Sequence, residues 1–469
     1  MHIRRYNLIQ HSLYILMLFL MMPGCKKIDD YLDAKSNLND VRPQTLSDFQ
    51  AILDNNYSMN NQMTILGLNG ADNFYMTDAQ YNAAPINMYR NLYIWDKVIQ
   101  YNVSAYYSYP YQVVEYCNIV LDGLNKIERN TANEATFDYV KGQALFFKAY
   151  ACYNLSSTFC KQYDSSGAGG DLGLVLRNSS DVNERPGRST VADSYNQMIS
   201  DAKAAAALLP VSSSYQTRPS RPAAEALLSK IYLNMGAYSE ALNYATAALN
   251  QFSVLLDYNN TDLIKPSGTY RFPTYPNNPE IIWYAQGTGN NVLWNFASAL
   301  GNVDTLLYAM YAPDDLRKTL FFIKNSNGLV QNRGGYTGNG YNFSGIATNE
   351  VLLIKAECEA RMGQSENALA DLNKLLLQRY QTGTYQPIQF STAQLVLDTI
   401  LSERRKELPF TGQVRWEDLR RLNREPRYAK TLVRIIGGQT YQLSPGDSRY
   451  VLPIPDDEIQ LLGIQQNER

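Results

Sequence analysis

The residues around Gly236 constrain this chain most. Ala223 to Asn250 reads AAEALLSKIYLNMGAYSEALNYATAALN. Counted from Gly236, Tyr232 lies four positions before, and Tyr238, Ala241 and Ala248 lie two, five and twelve positions after. That is the spacing of a tetratricopeptide repeat, in which alanines let two antiparallel helices approach and aromatic rings fill the gap. Asn349 to Arg379 has the same form around Gly363, with Ala356 before it and Ala368 after it, although Glu359 stands where an aromatic is usual. Tyr139 to Cys160 supplies the first helix of a third, split repeat. Its partner is Val191 to Leu209, stopped by Pro210, and the Gly/Ser stretch from Ser165 to Arg188 is the excursion between them. One such unit cannot bury its own apolar face, so repeats of this kind stack. The expected fold is therefore mainly α, a helical-repeat α-α superhelix with long irregular loops and a few short strands. The strands are expected at Leu172–Leu176 and Ile281–Ala285, and within Thr431–Leu443, where Gly437-Gly438 offers a hairpin turn.

The first 24 residues, MHIRRYNLIQHSLYILMLFLMMPG, place Arg4 and Arg5 before the apolar run Leu13–Met22. That run is too short to span a hydrocarbon core of ~30 Å and fits the apolar part of a secretory leader. Met22-Pro23-Gly24-Cys25 resembles a bacterial lipoprotein box, which makes Cys25 the candidate lipid anchor. The organisation expected is a leader over 1–24, an N-terminal region over 25–222, and a C-terminal region over 223–469. Both histidines, His2 and His11, fall in the leader. The remaining chain then has no group for Ser–His–Asp or Cys–His catalysis, HExxH chemistry or His-ligated zinc. No cofactor and no metal is expected. Cys117, Cys152, Cys160 and Cys358 are scattered and read as small buried hydrophobes. A formal charge of −2 does not favour nucleic acid.

Aromatic residues cluster. Ten of the 36 Tyr, with Trp95, lie between Tyr75 and Tyr116. A second cluster is Tyr270, Phe272, Tyr275, Trp283, Tyr284, Trp294 and Phe296, interleaved with Asn277, Asn278, Asn290 and Asn291. A third joins Tyr336, Tyr341 and Phe343 to Asn339 and Asn342. Flat rings beside amides suit a sugar, whose C–H face stacks while its hydroxyls bond the amides. The alternative for any single ring is that it packs in the core. Glu350 and Glu357 lie two helical turns apart, and a salt-bridged helix face accounts for them. The charges of Glu403-Arg404-Arg405-Lys406-Glu407 alternate in sign and read the same way.

Set beside the leader, several segments resemble one family. They are Cys25-Lys26-Lys27 with Tyr31-Leu32-Asp33; Tyr93-Ile94-Trp95, Pro110-Tyr111 and Asn118 to Leu121; and Arg218 to Gly236. With them go Glu403 to Leu408, Gly412, Arg415-Trp416 and Asp418-Leu419, and then Leu452-Pro453-Ile454-Pro455 with Glu458. The chain is similar to the SusD/RagB-like outer-membrane lipoproteins, although Val451 stands where a Trp or Phe is common. The resemblance implies four helical-repeat pairs under a loop-rich face, and no catalysis. It implies a lipid anchor at the outer membrane, surface exposure, and a partner TonB-dependent transporter that receives a captured oligosaccharide. It leaves open whether the ligand is a glycan, a peptide or another nutrient; an envelope scaffold binding only proteins is the rival reading. Binding residues are expected at Asp72, Tyr75, Tyr81 and Asn82, and then at Tyr275, Asn291 and Trp294.

Overall fold

Helix α1 (Leu46–Leu53) precedes an array of eight longer helices. These are α2 (Ala105–Leu124), α3 (Glu134–Phe159), α4 (Val191–Leu208), α5 (Arg221–Met235), α6 (Tyr238–Gln251), α7 (Thr348–Arg361), α8 (Ser365–Leu377) and α9 (Ala393–Glu407). Each of the eight packs against the next in chain order, and α7 also reaches back to α5 and forward to α9. The expected superhelix of repeat pairs is therefore present. Helix α10 (Val414–Leu422) follows, and short helices punctuate the loops. This computed structural model describes residues 43–287, 300–389 and 392–469. The segment 1–42, with the leader and Cys25, lies outside those residues. Leu46–Arg469 forms one compact unit, with α4 packed on α5 across position 222.

The repeat spacing works as the residue types require. Gly236 and Gly363 end their helices at φ 77° and 80°, a left-handed turn that glycine adopts without strain. Ala241, Ala245 and Ala248 line the buried face of α6 with no exposed surface, which lets α5 and α6 approach closely. The rings of Tyr232 and Tyr244 stack at 5.7 Å and 5° across that pair. In the next repeat an ion chain replaces the rings: Lys355 on α7 holds Glu359 at 2.5 Å and also pairs with Asp371 on α8.

Helix α3 is the centre of the molecule. Every residue from Gly142 to Phe159 is buried, so this helix is enclosed on all sides rather than amphipathic. Several of its polar side chains are met from other segments, Gln143 by Gln50 and Lys148 by Asn178. Asn154 donates to the Thr64 carbonyl at 2.9 Å and accepts from the Thr64 amide at 2.8 Å. The four cysteines beyond Cys25 are free and buried as expected, and burial pushes the Cys152 thiol up to about 12.

The sheet content is four antiparallel pairs among the described residues. β1 (Phe74–Tyr75) pairs β3 (Asn302–Val303), β2 (Ile281–Trp283) pairs β6 (Ile346–Ala347), β4 (Phe322–Lys324) pairs β5 (Val330–Asn332), and β7 (Leu432–Ile436) pairs β8 (Gln439–Leu443). The last is the expected hairpin. Gly437 and Gly438 both have positive φ, the two-residue turn that matches strand twist. Two strand expectations need correction. Leu172–Leu176 forms only an isolated bridge, Leu172 to Thr190, so no ladder continues. The strand from Ile281 stops at Trp283, where the register with β6 shifts.

The alternating charges of α9 are salt-bridged as expected, but inside the molecule rather than on its surface. Glu403, Arg404, Lys406 and Glu407 are all buried. Their partners come from distant segments: Arg317 meets Asp315, Glu403 and Glu407 at 2.7, 2.7 and 3.1 Å, and Arg404 meets Asp418 at 3.0 Å. Glu350 and Glu357 are likewise internal, held by Lys230 at 3.0 Å and by Arg421 at 2.5 Å. Buried charges persist only when paired in this way.

Candidate functional site

The loops between α6 and α7 and those after α9 meet at a crevice of about 40 Å3, whose rim includes Asn332, Arg333, Tyr341 and Asn342. Its floor is built first. Arg379, fully buried, donates to Glu407 at 2.8 Å, to both Glu280 oxygens at 2.8 and 3.1 Å, and to the Leu256 carbonyl at 2.7 Å. Its guanidinium also lies 4.1 Å from the centre of the Tyr258 ring. Burial raises Glu280, with Arg379 pulling it back and Glu407 pushing it further, to about 7.

This ion network ends on the Tyr336 hydroxyl. Arg379 and Asn349 donate to it at 3.2 and 3.3 Å, and it shares a 2.8 Å bond with Tyr258. The Tyr336 ring is wedged between Phe272 at 5.3 Å and Phe343 at 5.9 Å. The loop on either side of Tyr336 is thereby fixed to the repeat array, and the residues after it are free to face outward. The Tyr341 amide donates to Asn339 Oδ1 at 2.8 Å, and the Thr337 hydroxyl donates to the Tyr341 carbonyl at 2.7 Å. The Tyr341 ring stays 44% exposed. Tyr270, 41% exposed, lies against the turn from Gly334 to Gly340. Asn342 donates to the Phe410 carbonyl at 3.0 Å, so its amide oxygen remains available at the rim.

Two exposed rings beside amides and a guanidinium form a surface that can stack a flat apolar face and bond its polar edge. The carboxylates in the lining, Glu350 and Glu407, are taken by Lys230 and by Arg317 and Arg379 beneath. A second and larger cleft, about 650 Å3, opens between the loop after α3 and the turn after β8. Lys161 pairs there with Asp171 at 2.6 Å and Arg424 with Asp164 at 2.9 Å, and Arg420 is taken up by the Ser157 and Cys160 carbonyls. Its aromatic residue, Tyr450, is buried against Trp416. The smaller crevice is thus the one that offers rings.

The residues expected from the sequence fall in three places. Asp72 is an internal anchor: Arg415 grips it at 2.6 and 3.0 Å and Lys430 at 2.8 Å. Burial would raise its carboxyl, but Arg415, Arg405 and Lys430 together hold it well below the usual range. Tyr75 sits on β1 opposite Asn302, Tyr81 is half-buried with its ring 6.1 Å from Tyr93, and Asn82 is exposed, its carbonyl accepting from Arg90. These four share one neighbourhood, which meets the crevice side through β3 beside β5 and through Asn73, whose side-chain amide donates to the Pro409 carbonyl at 2.6 Å. Tyr275 is close to the crevice rings: it lies 4.8 Å from Tyr284, which is 6.4 Å from Phe343. Asn291 and Trp294 lie outside the described residues. The third aromatic cluster held the rim residues Tyr341 and Asn342, but Arg333 had no signal in a search for rings and amides.

Comparison with known proteins follows the same outline. Residues 30–233 match a SusD-like family model described as starch-binding associating with outer membrane. Residues 313–468 match the SusD family model. A SusD-like protein P2 of Formosa agariphila is 23% identical over 419 residues, covering 76% of this chain and 78% of that protein. A SusD superfamily protein from Bacteroides thetaiotaomicron shares the fold with a TM-score of 0.72 at 24% identity, over 91% of this chain and 100% of that one. A SusD-like carbohydrate binding protein from Bacteroides vulgatus does so at 0.67 and 20%, over 89% and 96%. Matched in both its N-terminal and C-terminal parts and sharing the repeat array of these structures, the chain belongs to the SusD family.

Proposed function

We propose that this protein is a non-catalytic cell-surface lipoprotein that captures oligosaccharides and passes them to a partner TonB-dependent outer-membrane transporter. Lipid on Cys25 holds it at the outer membrane. The observation that carries the binding role is the exposed pair Tyr270 and Tyr341 beside Asn332 and Asn342, on a loop pinned from below by Tyr336. Rings left exposed on a rigid support are a stacking platform that loses little entropy on binding. The matched family model is described as starch-binding and the Bacteroides vulgatus relative as a carbohydrate binding protein, which supports a sugar as the cargo.

Calorimetry of the full chain against neutral and acidic oligosaccharides tests this. Tyr341→Ala is expected to weaken binding about tenfold or more, because one stacked ring contributes about 1 kcal/mol beyond area burial. Its melting temperature should stay at the wild-type value, since the ring makes little of the core. Binding to peptides but to no oligosaccharide would overturn the sugar assignment.

A further inference from the structure

Four aromatic rings are exposed among the described residues. Tyr341 lines the crevice and Tyr270 lies against its loop. The other two, Tyr57 and Tyr215, are 69% and 55% exposed. The fold ties the segments carrying this second pair together at two points. Arg218 donates to both Asp54 oxygens at 2.7 and 2.6 Å, and Asn60 Nδ2 donates to the Thr217 carbonyl at 3.0 Å. Tyr57 stands between Asp54 and Asn60 in the chain, and Tyr215 stands just before Thr217 and Arg218.

The Tyr215 ring has a rigid support. The Arg218 guanidinium lies 5.1 Å from its centre, a cation–π contact that backs the ring while half of it stays open to solvent. Asp54 grips that guanidinium at two points, so the platform offers a flat apolar face and no spare charge. The Arg218 amide and the Ser213 hydroxyl both donate to the Tyr215 carbonyl at 3.0 Å, which closes the turn. Tyr139 on α3 shares a 3.0 Å hydroxyl bond with Ser213 and fastens the turn to the array. A lone exposed ring is ordinary on a protein surface, but a pair on joined segments, one ring backed by a paired guanidinium, is a stacking surface.

A path of aromatic and polar groups joins this pair to the crevice. The Thr217 and Tyr275 hydroxyls lie 3.4 Å apart, and the Tyr275 ring lies 4.8 Å from Tyr284. The Tyr284 hydroxyl takes a hydrogen bond from Asn339, whose Oδ1 also holds the Tyr341 amide. We propose that Tyr57 and Tyr215 form a second stacking subsite, so that the cargo is an oligosaccharide chain long enough to lie on Tyr341 and Tyr215 at once. This deepens the oligosaccharide reading and rests on it. With Arg218 already paired to Asp54, the second subsite meets the C–H face of a sugar and not an acid group.

The test is a calorimetric titration of the full chain with three series, each at two lengths: maltotriose and maltoheptaose, mannotriose and mannohexaose, trigalacturonate and hexagalacturonate. In whichever series binds, the longer member is expected to bind about tenfold tighter or more, since it reaches the second ring as well as the first. Tyr215→Ala should abolish that gain while the trimer affinity and the melting temperature stay near wild type. Tyr215→Phe should keep the gain, because stacking needs the ring and not the hydroxyl. Tyr341→Ala, by contrast, should weaken both lengths. Equal affinity for the two lengths, or a gain that survives in the Tyr57→Ala/Tyr215→Ala double variant, would overturn the second subsite and leave oligosaccharide capture standing. Failure of all three series to bind would remove the reading on which it rests.

Discussion

Arg379→Ala is expected to cost about 3–5 kcal/mol of stability, the range for breaking a buried ion pair from one side. Arg379 and Glu280 have no exposed surface, and Glu407 has 2%. Remove the guanidinium and Glu280 loses its charged partner, while Glu407 keeps Arg317 at 3.1 Å and the Asn349 amide at 2.9 Å. The Leu256 carbonyl and the Tyr336 hydroxyl lose a donor as well. By contrast Arg129 and Asp138, at a comparable 2.8 Å, sit on the surface with Arg129 47% exposed, and solvent screening leaves that pair little effect. Denaturant unfolding of both alanine variants should separate them clearly. Adding Glu280→Gln to Arg379→Ala is expected to return part of the loss, because it deletes the carboxylate left orphaned. No recovery in the double variant would mean that the arginine acts through packing alone.

Trp283→Ala is the second large effect, also about 3–5 kcal/mol, from the cavity left by a buried indole. Trp283 stands on β2 with no exposed surface and meets the rings of Tyr150, Phe146 and Phe147 on α3 at 4.6, 4.9 and 5.9 Å. It therefore joins the loop side of the molecule to the central helix. Its indole N–H donates to the Thr217 carbonyl at 3.1 Å, which also receives Asn60 at 3.0 Å. Trp283→Phe should cost clearly less than alanine because most of the ring volume remains, the Thr217 carbonyl keeping the Asn60 donor in either variant. Thermal melts of the two variants check the ranking. A Trp283→Ala protein melting like wild type would place this ring outside the core.

These contrasts show which parts of the molecule the sequence made legible. Repeat helices could be read because their demands are local: Gly236 must turn, and Ala241 and Ala248 must be small, at fixed offsets. The hairpin at Gly437-Gly438 was legible for the same reason. The charges of α9 could be read as salt-bridged but their burial and partners could not, because Glu407 is met by Arg317 and Arg379, which stand well away from it in the chain. Charge alternation on a helix looks identical whether its partners are water or arginines from distant loops.

Tyrosine was the harder case. Much of the Tyr75–Tyr116 cluster is core, with Tyr89, Tyr93 and Tyr107 each at 3% exposure or less. Their hydroxyls do not force them outward, since each can find a partner: Tyr89 meets Tyr106 at 3.2 Å, and the Tyr93 hydroxyl accepts from the Met76 amide at 2.8 Å. Composition cannot separate such a ring from Tyr341, whose exposure follows from the pinned loop beneath it. Asp72 was read among candidate ligands because the family resemblance puts binding residues in its segment; in the structure Arg415 grips it.

We propose that the array of α2 to α9 is a scaffold and that the loops over Tyr336 meet the cargo. Hydrogen–deuterium exchange on the full chain, with and without a saturating oligosaccharide chosen by calorimetry, asks this directly. The account predicts slowed exchange within residues 263–279 and 321–347, with the helices of the array unchanged. Slowed exchange confined to residues 72–82, with none in those two loops, would contradict it.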